Sequence, residues 1–189
     1  LKQIKAGKDE EDNDYFSLAD ADEKLKADKE VVLAAVKQNG SNLQYAWPIV
    51  AADKEVVLEA VKTCGTALQH ADDSLKKDKE VVLKAVKKNV FSLLYADDSL
   101  KKDKEFILKA VKQCGLGTFL EFVDSSLKKD KEVVLEAVKQ WGTALQHVDD
   151  SLKKDKEFIL EVVKNNGDAF EWIDESLKKD ADILKVALE

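Results

Sequence analysis

The apolar residues of this chain recur at helical spacing, and one ten-residue stretch shows the pattern most clearly. Between Asp78 and Lys87 the apolar positions hold Val81, Val82, Leu83, Ala85 and Val86. At about 100° per residue these side chains cover more than half of the circumference of a helix. The stretch therefore predicts an α-helix of about 11 residues that packs against neighbours on two sides.

Near copies of this stretch occur along almost the whole sequence. They begin at Asp28, Asp53, Asp78, Asp103, Asp130, Asp155 and, in a degraded form, Asp180. Successive copies are 25 residues apart, except for a spacing of 27 between Asp103 and Asp130. A fixed short period is typical of proteins whose repeats bury their apolar faces against their neighbours. We therefore predict an all-α fold, an elongated α-solenoid of about six to seven helix-turn-helix repeats, with long helices starting near these Asp residues.

The repeat pattern divides the chain into two parts. Residues 1–15 include a charged run without apolar periodicity and are predicted to be a charged linker or a frayed terminus. Residues 16–189 are predicted to form a single α-helical repeat array, which the chain enters in the middle of a repeat. The sequence contains no Met and starts at Leu1, so we expect it to be part of a larger polypeptide.

Polar residues and glycines mark the expected helix ends within each repeat. The Asp that opens each copy is a predicted N-cap, and a second Asp, such as Asp72, is predicted to cap a short turn whose Leu75 fills the core. A Gly follows the long helix at positions 40, 65, 142 and 167, where we expect a left-handed residue to end the helix. Val90 replaces this Gly and predicts a different turn there. A second, shorter helix is predicted to follow.

Composition narrows the classes of partner. Acidic residues outnumber basic ones by 38 to 31, the net charge is -7, and every basic residue is Lys. An acidic chain without Arg does not fit nucleic-acid binding, which requires a basic face, although an AT-rich genome would also explain the exclusive use of Lys. No apolar segment is long enough to span a membrane. The two cysteines, Cys64 and Cys114, are too far apart in the repeat for a disulfide, which favours an intracellular, cytoplasmic location.

Two segments depart from the repeat. Trp47, Pro48 and Ile49 stand where the other repeats are polar, so they are a predicted partner-binding anchor or, alternatively, a local plug against the N-terminal repeat. The two extra residues between Asp103 and Asp130 fall near Cys114–Gly117 and predict a kink or a wider turn.

The pattern D-K-E-V-V-L-x-A-V-K-x-x-G-x-A-L-x-x-A, seen from Asp53 to Ala71 and again from Asp130 to Val148, resembles a short helical repeat family catalogued as domain of unknown function 4116. The resemblance covers roughly residues 16–189. It implies a modular α-helical array that is often part of a larger protein. It supplies no activity, cofactor or catalytic residue.

One column of the repeat is rich in rings. The fifth residue after the Gly position is Asp20 in the first repeat and then Tyr45, His70, Tyr95, Phe122, His147 and Trp172. Ideal α-helical spacing turns this column about 130° away from the apolar stripe of the short helix. We predict that the rings form a ladder that binds an extended peptide or a partner helix; the alternative is that they pack between adjacent repeats.

Catalytic chemistry is not expected. His70 and His147 lie three repeats apart, so they cannot share a metal ion or a proton relay. Cys64 and Cys114 fall on the apolar face of the long helix and are predicted core residues. We predict no catalytic residue, no metal site and no cofactor. The function predicted from sequence is a non-enzymatic protein-interaction scaffold, with a structural spacer or an accessory subunit of a large assembly as the alternative.

Overall fold

The computed structural model describes residues 6–8, 14–114 and 117–188. Two short antiparallel strands, β1 (Ala6–Lys8) and β2 (Asp14–Phe16), lie in and beside the stretch predicted to be a linker. Helices form the rest of the described chain, so the predicted all-α repeat fold is confirmed. The described residues separate into two compact units, one ending at Asp97 and the other beginning at Asp98. The single repeat array over residues 16–189 remains a prediction.

Each repeat contains one long helix that begins directly after an Asp. The long helices are α2 (Lys29–Gln38), α4 (Lys54–Thr63), α6 (Lys79–Lys88), α8 (Lys104–Cys114), α9 (Lys131–Gln140), α11 (Lys156–Asn165) and α12 (Ala181–Ala187). The preceding Asp is the N-cap, as predicted. The Asp78 carboxylate, for example, accepts hydrogen bonds from the backbone N–H groups of Glu80 and Val81 at 2.9 and 3.2 Å.

A 3₁₀-helix of six residues follows each long helix except the last. These are η1 (Gly40–Tyr45), η2 (Gly65–His70), η3 (Val90–Tyr95), η4 (Gly117–Phe122), η6 (Gly142–His147) and η7 (Gly167–Trp172). A short segment then leads to the next long helix. It is helical in α1 (Glu23–Lys26), α3 (Pro48–Ala51), α5 (Asp73–Lys76), α7 (Asp98–Lys101) and α10 (Asp150–Lys153), and a 3₁₀ turn in η5 (Leu127–Lys129).

The core lies between the long helices and the 3₁₀-helices within each unit. Inside each unit successive long helices contact each other, and so do successive 3₁₀-helices. Val81, Val82, Ala85 and Val86 of α6 are buried, and Leu75 closes the core from the short helix, as its spacing predicts. Leu83 is only half-buried, so the apolar face of the long helix is narrower than the sequence predicts.

The place of three of the four recurring glycines, Gly40, Gly65 and Gly142, has a steric cause, because a Cβ atom there would lie too close to the next repeat. None of these three glycines, nor Gly167, adopts a left-handed backbone, so the prediction of a left-handed C′ residue is wrong. The Gly is the first residue of the 3₁₀-helix, and a Cβ atom at Gly65 would lie 2.5 Å from the carbonyl oxygen of Ala85 in the next repeat. The different turn predicted at Val90 is also wrong, because Asn89 has backbone angles (φ -154°, ψ 118°) close to those of Asn39 (φ -147°, ψ 110°).

Ion pairs connect the N-terminal ends of successive long helices. Lys54, the first residue of α4, lies 2.8 Å from both Asp78 and Glu80 of the next repeat. The equivalent lysines Lys29, Lys104 and Lys156 each contact two carboxylates in the same way, and Lys131 contacts one. These lysines, which sequence alone leaves as a solvated edge, therefore join one repeat to the next.

Candidate functional site

The short helix α3 differs from every other short segment of the repeat in its first residues. Trp47 stands at the N-cap and provides no side-chain capping hydrogen bond, and Pro48 follows at the first helical position, where proline is well tolerated. In α5 the same cap position holds Asp72, whose carboxylate accepts hydrogen bonds from the backbone N–H and the hydroxyl of Ser74 at 2.9 and 2.6 Å. In the second repeat an indole ring therefore stands at the position where the next repeat has a capping carboxylate.

Two large apolar side chains of this segment face solvent. Trp47 is 45% exposed and Ile49 is 74% exposed, whereas Val50 and Ala51 are buried. The indole has a fixed position, because its Nε1–H donates a hydrogen bond of 2.8 Å to the Glu23 carboxylate. Val50 and Ala51 thus pack in the core, and Trp47 and Ile49 form an exposed apolar surface.

A shallow groove of about 310 Å³ runs beside α3. Its lining consists of Ala46, Pro48, Ala51, His70, Ala71, Asp72 and Asp73. The groove therefore brings together Pro48 and His70, two residues that the sequence analysis assigned to separate features. Ala51 contributes to the open space because the equivalent residue of the next repeat is the much larger Lys76.

The polar groups of the groove are two carboxyl groups, those of Asp72 and Asp73, and the imidazole of His70. The hydroxyl of Ser74 and then its backbone N–H lower the pKa of Asp72, so this carboxyl is ionised at neutral pH. Burial and then the charge of Lys76 lower the pKa of His70, which keeps the imidazole neutral at the same pH. Asp73 forms an ion pair of 3.1 Å with Lys76.

The predicted ring ladder is half-buried. The rings of Tyr45, His70, Tyr95, Phe122, His147 and Trp172 are all intermediate in exposure. Their helix is a 3₁₀-helix, in which residues three positions apart eclipse each other. His70 therefore stands in line with the buried Ala67, and the α-helical angle assumed for this column is wrong. Trp172 additionally lines a second open groove, of about 630 Å³, with Phe170, Asp168 and Glu171.

Other large apolar side chains, which the repeat pattern did not single out, are also exposed to solvent. Phe91 and Leu94 of η3 are 53% and 51% exposed, and Trp141 at the end of α9 is 47% exposed. Phe91 and Leu94 occupy the outward columns that hold Thr66 and Gln69 in the preceding repeat. A comparison of these two columns, which are polar in the other repeats apart from Phe16 and Ala19 of the first, would have identified the pair.

The described residues show no arrangement suited to metal binding, and none of their helices is both long and apolar enough to cross a membrane. Cys64 and Cys114 are thiols and are half-buried rather than deep in the core. Burial opposes ionisation of Cys64, but hydrogen bonds from Thr66 and Ser41 outweigh it and lower its pKa. The kink or wider turn predicted for the insertion falls on residues 115 and 116, which lie outside the described residues.

Comparison with known proteins identifies a family. No curated protein and no solved structure matches the chain. A family model with the description "Domain of unknown function (DUF4116)" matches residues 12–46, 53–101, 82–128, 103–153 and 155–189. These matches cover most of the sequence and follow its repeats, so the chain belongs to this family of helical repeats of unknown function.

Proposed function

We propose that the protein is a non-enzymatic interaction scaffold that binds a partner protein through the surface of α3. The observation that carries this proposal is the exposure of Trp47 and Ile49 at positions that are polar in the other repeats. Large apolar side chains on a rigid element, surrounded by polar residues, are typical of the energetic centre of a protein interface.

Folding alone does not account for this segment. Replacing an Asp N-cap by a residue without a capping side chain costs about 1 kcal/mol of stability. Ile49, with three quarters of its surface in solvent, contributes little to the core in return. The segment thus combines a lost cap with an exposed apolar surface, and binding of a partner supplies a reason for both.

The alternative role, a spacer that contacts other chains through its lysine-rich edges, has weaker support. Lys54, Lys104 and Lys156 at these edges already pair with carboxylates of the next repeat. The ring column is the weaker candidate surface, because its side chains are half-buried and leave less area for a partner to contact. We further propose an intracellular protein partner rather than a nucleic acid, in keeping with the net charge of -7.

Affinity purification with paired variants tests the proposal. The double variant Trp47→Asp/Ile49→Ser restores the residues of the other repeats at α3. The control Phe91→Thr/Leu94→Gln does the same for the exposed pair on η3, with similar exposed apolar area removed. A partner captured by the wild-type chain is identified by mass spectrometry and purified, and its affinity for each protein is then measured by calorimetry.

We expect the α3 variant to weaken binding by about 2 kcal/mol or more, as loss of a central aromatic residue does, and the η3 variant to bind like the wild type. The circular dichroism spectrum and the urea midpoint of each variant verify that it is folded. Undiminished binding by a folded α3 variant would refute the proposal, as would a partner lost only from the η3 variant.

A further inference from the structure

A cross-repeat ion pair is missing beside the α3 groove. At three later junctions the residue after the short segment is a lysine whose ammonium lies near the capping carboxylate of the next repeat, and at the last junction the described residues Lys154 and Asp174 form no such pair. The Nζ–Oδ2 distances are 3.8 Å for Lys77–Asp97, 4.0 Å for Lys102–Asp124 and 3.6 Å for Lys129–Asp149. The residue that would reach Asp72 in this way is Ala52.

Asp72 consequently has one oxygen that faces no cation. Its Oδ1 accepts both hydrogen bonds from Ser74, while Oδ2, the atom that its counterparts offer to a lysine, has no cation within 4.0 Å among the described residues. Of the neighbouring charges, Lys76 is turned toward Asp73. The same substitution that removes the lysine also helps to open the groove, because Ala51 and Ala52 replace two lysines.

The outward charge around the groove is negative. In the pair Lys76–Asp73 the lysine side chain is 24% exposed and the carboxylate 90% exposed, and in the pair Lys26–Glu23 the values are 17% and 67%. The lysines therefore lie against the protein and the carboxylates project into solvent. An approaching partner meets carboxylates next to the apolar surface of Trp47 and Ile49.

We infer that the α3 groove binds a segment of a partner protein in which a Lys or Arg stands beside a large apolar residue. The cation takes the place of the missing repeat lysine at Asp72 Oδ2, where the other repeats show that an ammonium fits. The apolar residue packs on Trp47, Pro48 and Ile49. This inference rests on the proposed function and names the chemistry of the partner segment.

Short synthetic peptides provide the probe. One set carries Leu-Arg, Phe-Arg or Leu-Lys in a Gly/Ser background, and matched sets carry Gln or Glu in place of the cation. Binding to the full chain is followed by chemical-shift changes of the backbone N–H groups of Ala51, Ala52 and Asp72. We expect the basic peptides to bind at least about fivefold more tightly than the Gln peptides, the effect of one partly exposed ion pair, and the Glu peptides to bind most weakly.

The variant Ala52→Lys supplies the missing ammonium from the protein itself. We expect it to fold normally and to weaken binding of the basic peptides about fivefold, because the new lysine occupies Asp72. The control Ala34→Lys adds the same charge at a column where Lys84 and Lys109 occur naturally, and it should leave binding unchanged.

Several results would overturn the inference: equal binding of Gln peptides, preference for Glu peptides, absence of peptide binding at α3, or an inert Ala52→Lys. Self-association that Trp47→Asp/Ile49→Ser abolishes would assign the surface to a second copy of the chain instead. If that double variant loses the protein partner while Ala52→Lys keeps full affinity, the inference fails and the proposed function stands. If the double variant keeps the partner, the proposed function fails.

Discussion

Substitution of two glycines by alanine tests why the repeat places Gly at the start of its 3₁₀-helix. Gly142 and Gly167 occupy the same column and lie in the same compact unit. A Cβ atom at Gly142 would lie 2.6 Å from the backbone nitrogen of Ala169 and 2.8 Å from the carbonyl carbon of Asp168, whereas a Cβ atom at Gly167 would meet nothing within 4 Å.

The expected effects have opposite signs. In both variants alanine reduces the conformational entropy of the unfolded chain, which stabilises the protein by about 0.4–1 kcal/mol. At Gly142 the contact with backbone atoms also forces the two repeats apart, an overpacking cost of about 1–3 kcal/mol. Gly167→Ala should therefore raise the free energy of unfolding slightly, and Gly142→Ala should lower it by about 1–2 kcal/mol.

Urea unfolding followed by circular dichroism at 222 nm measures the difference. A left-handed backbone would penalise alanine at both positions by about 1–2 kcal/mol. Equal losses of stability in the two variants would therefore refute the steric explanation and restore the conformational one.

Two further predictions concern the Asp caps. Asp78→Ala removes two hydrogen bonds to backbone N–H groups and an ion pair with Lys54, so the free energy of unfolding in urea should fall by about 1–2 kcal/mol; the exposed Asp73, replaced by Ala as a control, should change it by less than about 0.5 kcal/mol. The hydrogen bond from Lys29 lowers the pKa of Asp53, and the hydroxyl of Ser74 lowers that of Asp72. A folded-state pKa below the unfolded value of about 3.9 gives stability that is complete above that pH and is lost as the pH falls through the folded pKa. Burial lowers the pKa of His70, so this imidazole contributes stability that is lost as the pH falls below its unfolded pKa of about 6.5. The urea midpoint should therefore fall slightly between about pH 6.5 and pH 5 and more steeply below about pH 4, and a midpoint that rises on acidification would contradict this reasoning.

Features governed by neighbouring residues in the sequence were predictable. The Asp at each N-cap, the apolar face of the long helix and the core position of Leu75 depend on contacts within about one turn, which spacing reveals directly. The departure at Trp47 and Ile49 was also visible, because every other repeat provides a comparison. Its exposure follows from the way the short helix lies on the core, with Val50 turned inward.

Features that depend on contacts between repeats were not predictable from spacing alone. The role of Gly65 depends on the carbonyl oxygen of Ala85 in the next repeat, and no local pattern reports that distance. The orientation of His70 was wrong because the short second helix is 3₁₀ rather than α, which changes the angle per residue. Among the described residues the Oδ2 atom of Asp72 has no lysine beside it, and this could be recognised only from the structure. The lysine–aspartate distances in later repeats supply the comparison.

The lysine at the start of a long helix affects how whole repeats can be added to or removed from such a chain. Lys54 contacts carboxylates of the repeat that follows it, and Lys29 of the preceding repeat contacts Asp53 and Glu55 in the same way. Each repeat thus presents a cation forward and a matching pair of anions backward, so duplication or deletion of a whole 25-residue unit joins compatible ends. Gene rearrangement in multiples of this unit therefore joins a lysine to carboxylates, and the pairs of Lys104 with Asp130 and Glu132 show that the 27-residue spacing keeps the same junction.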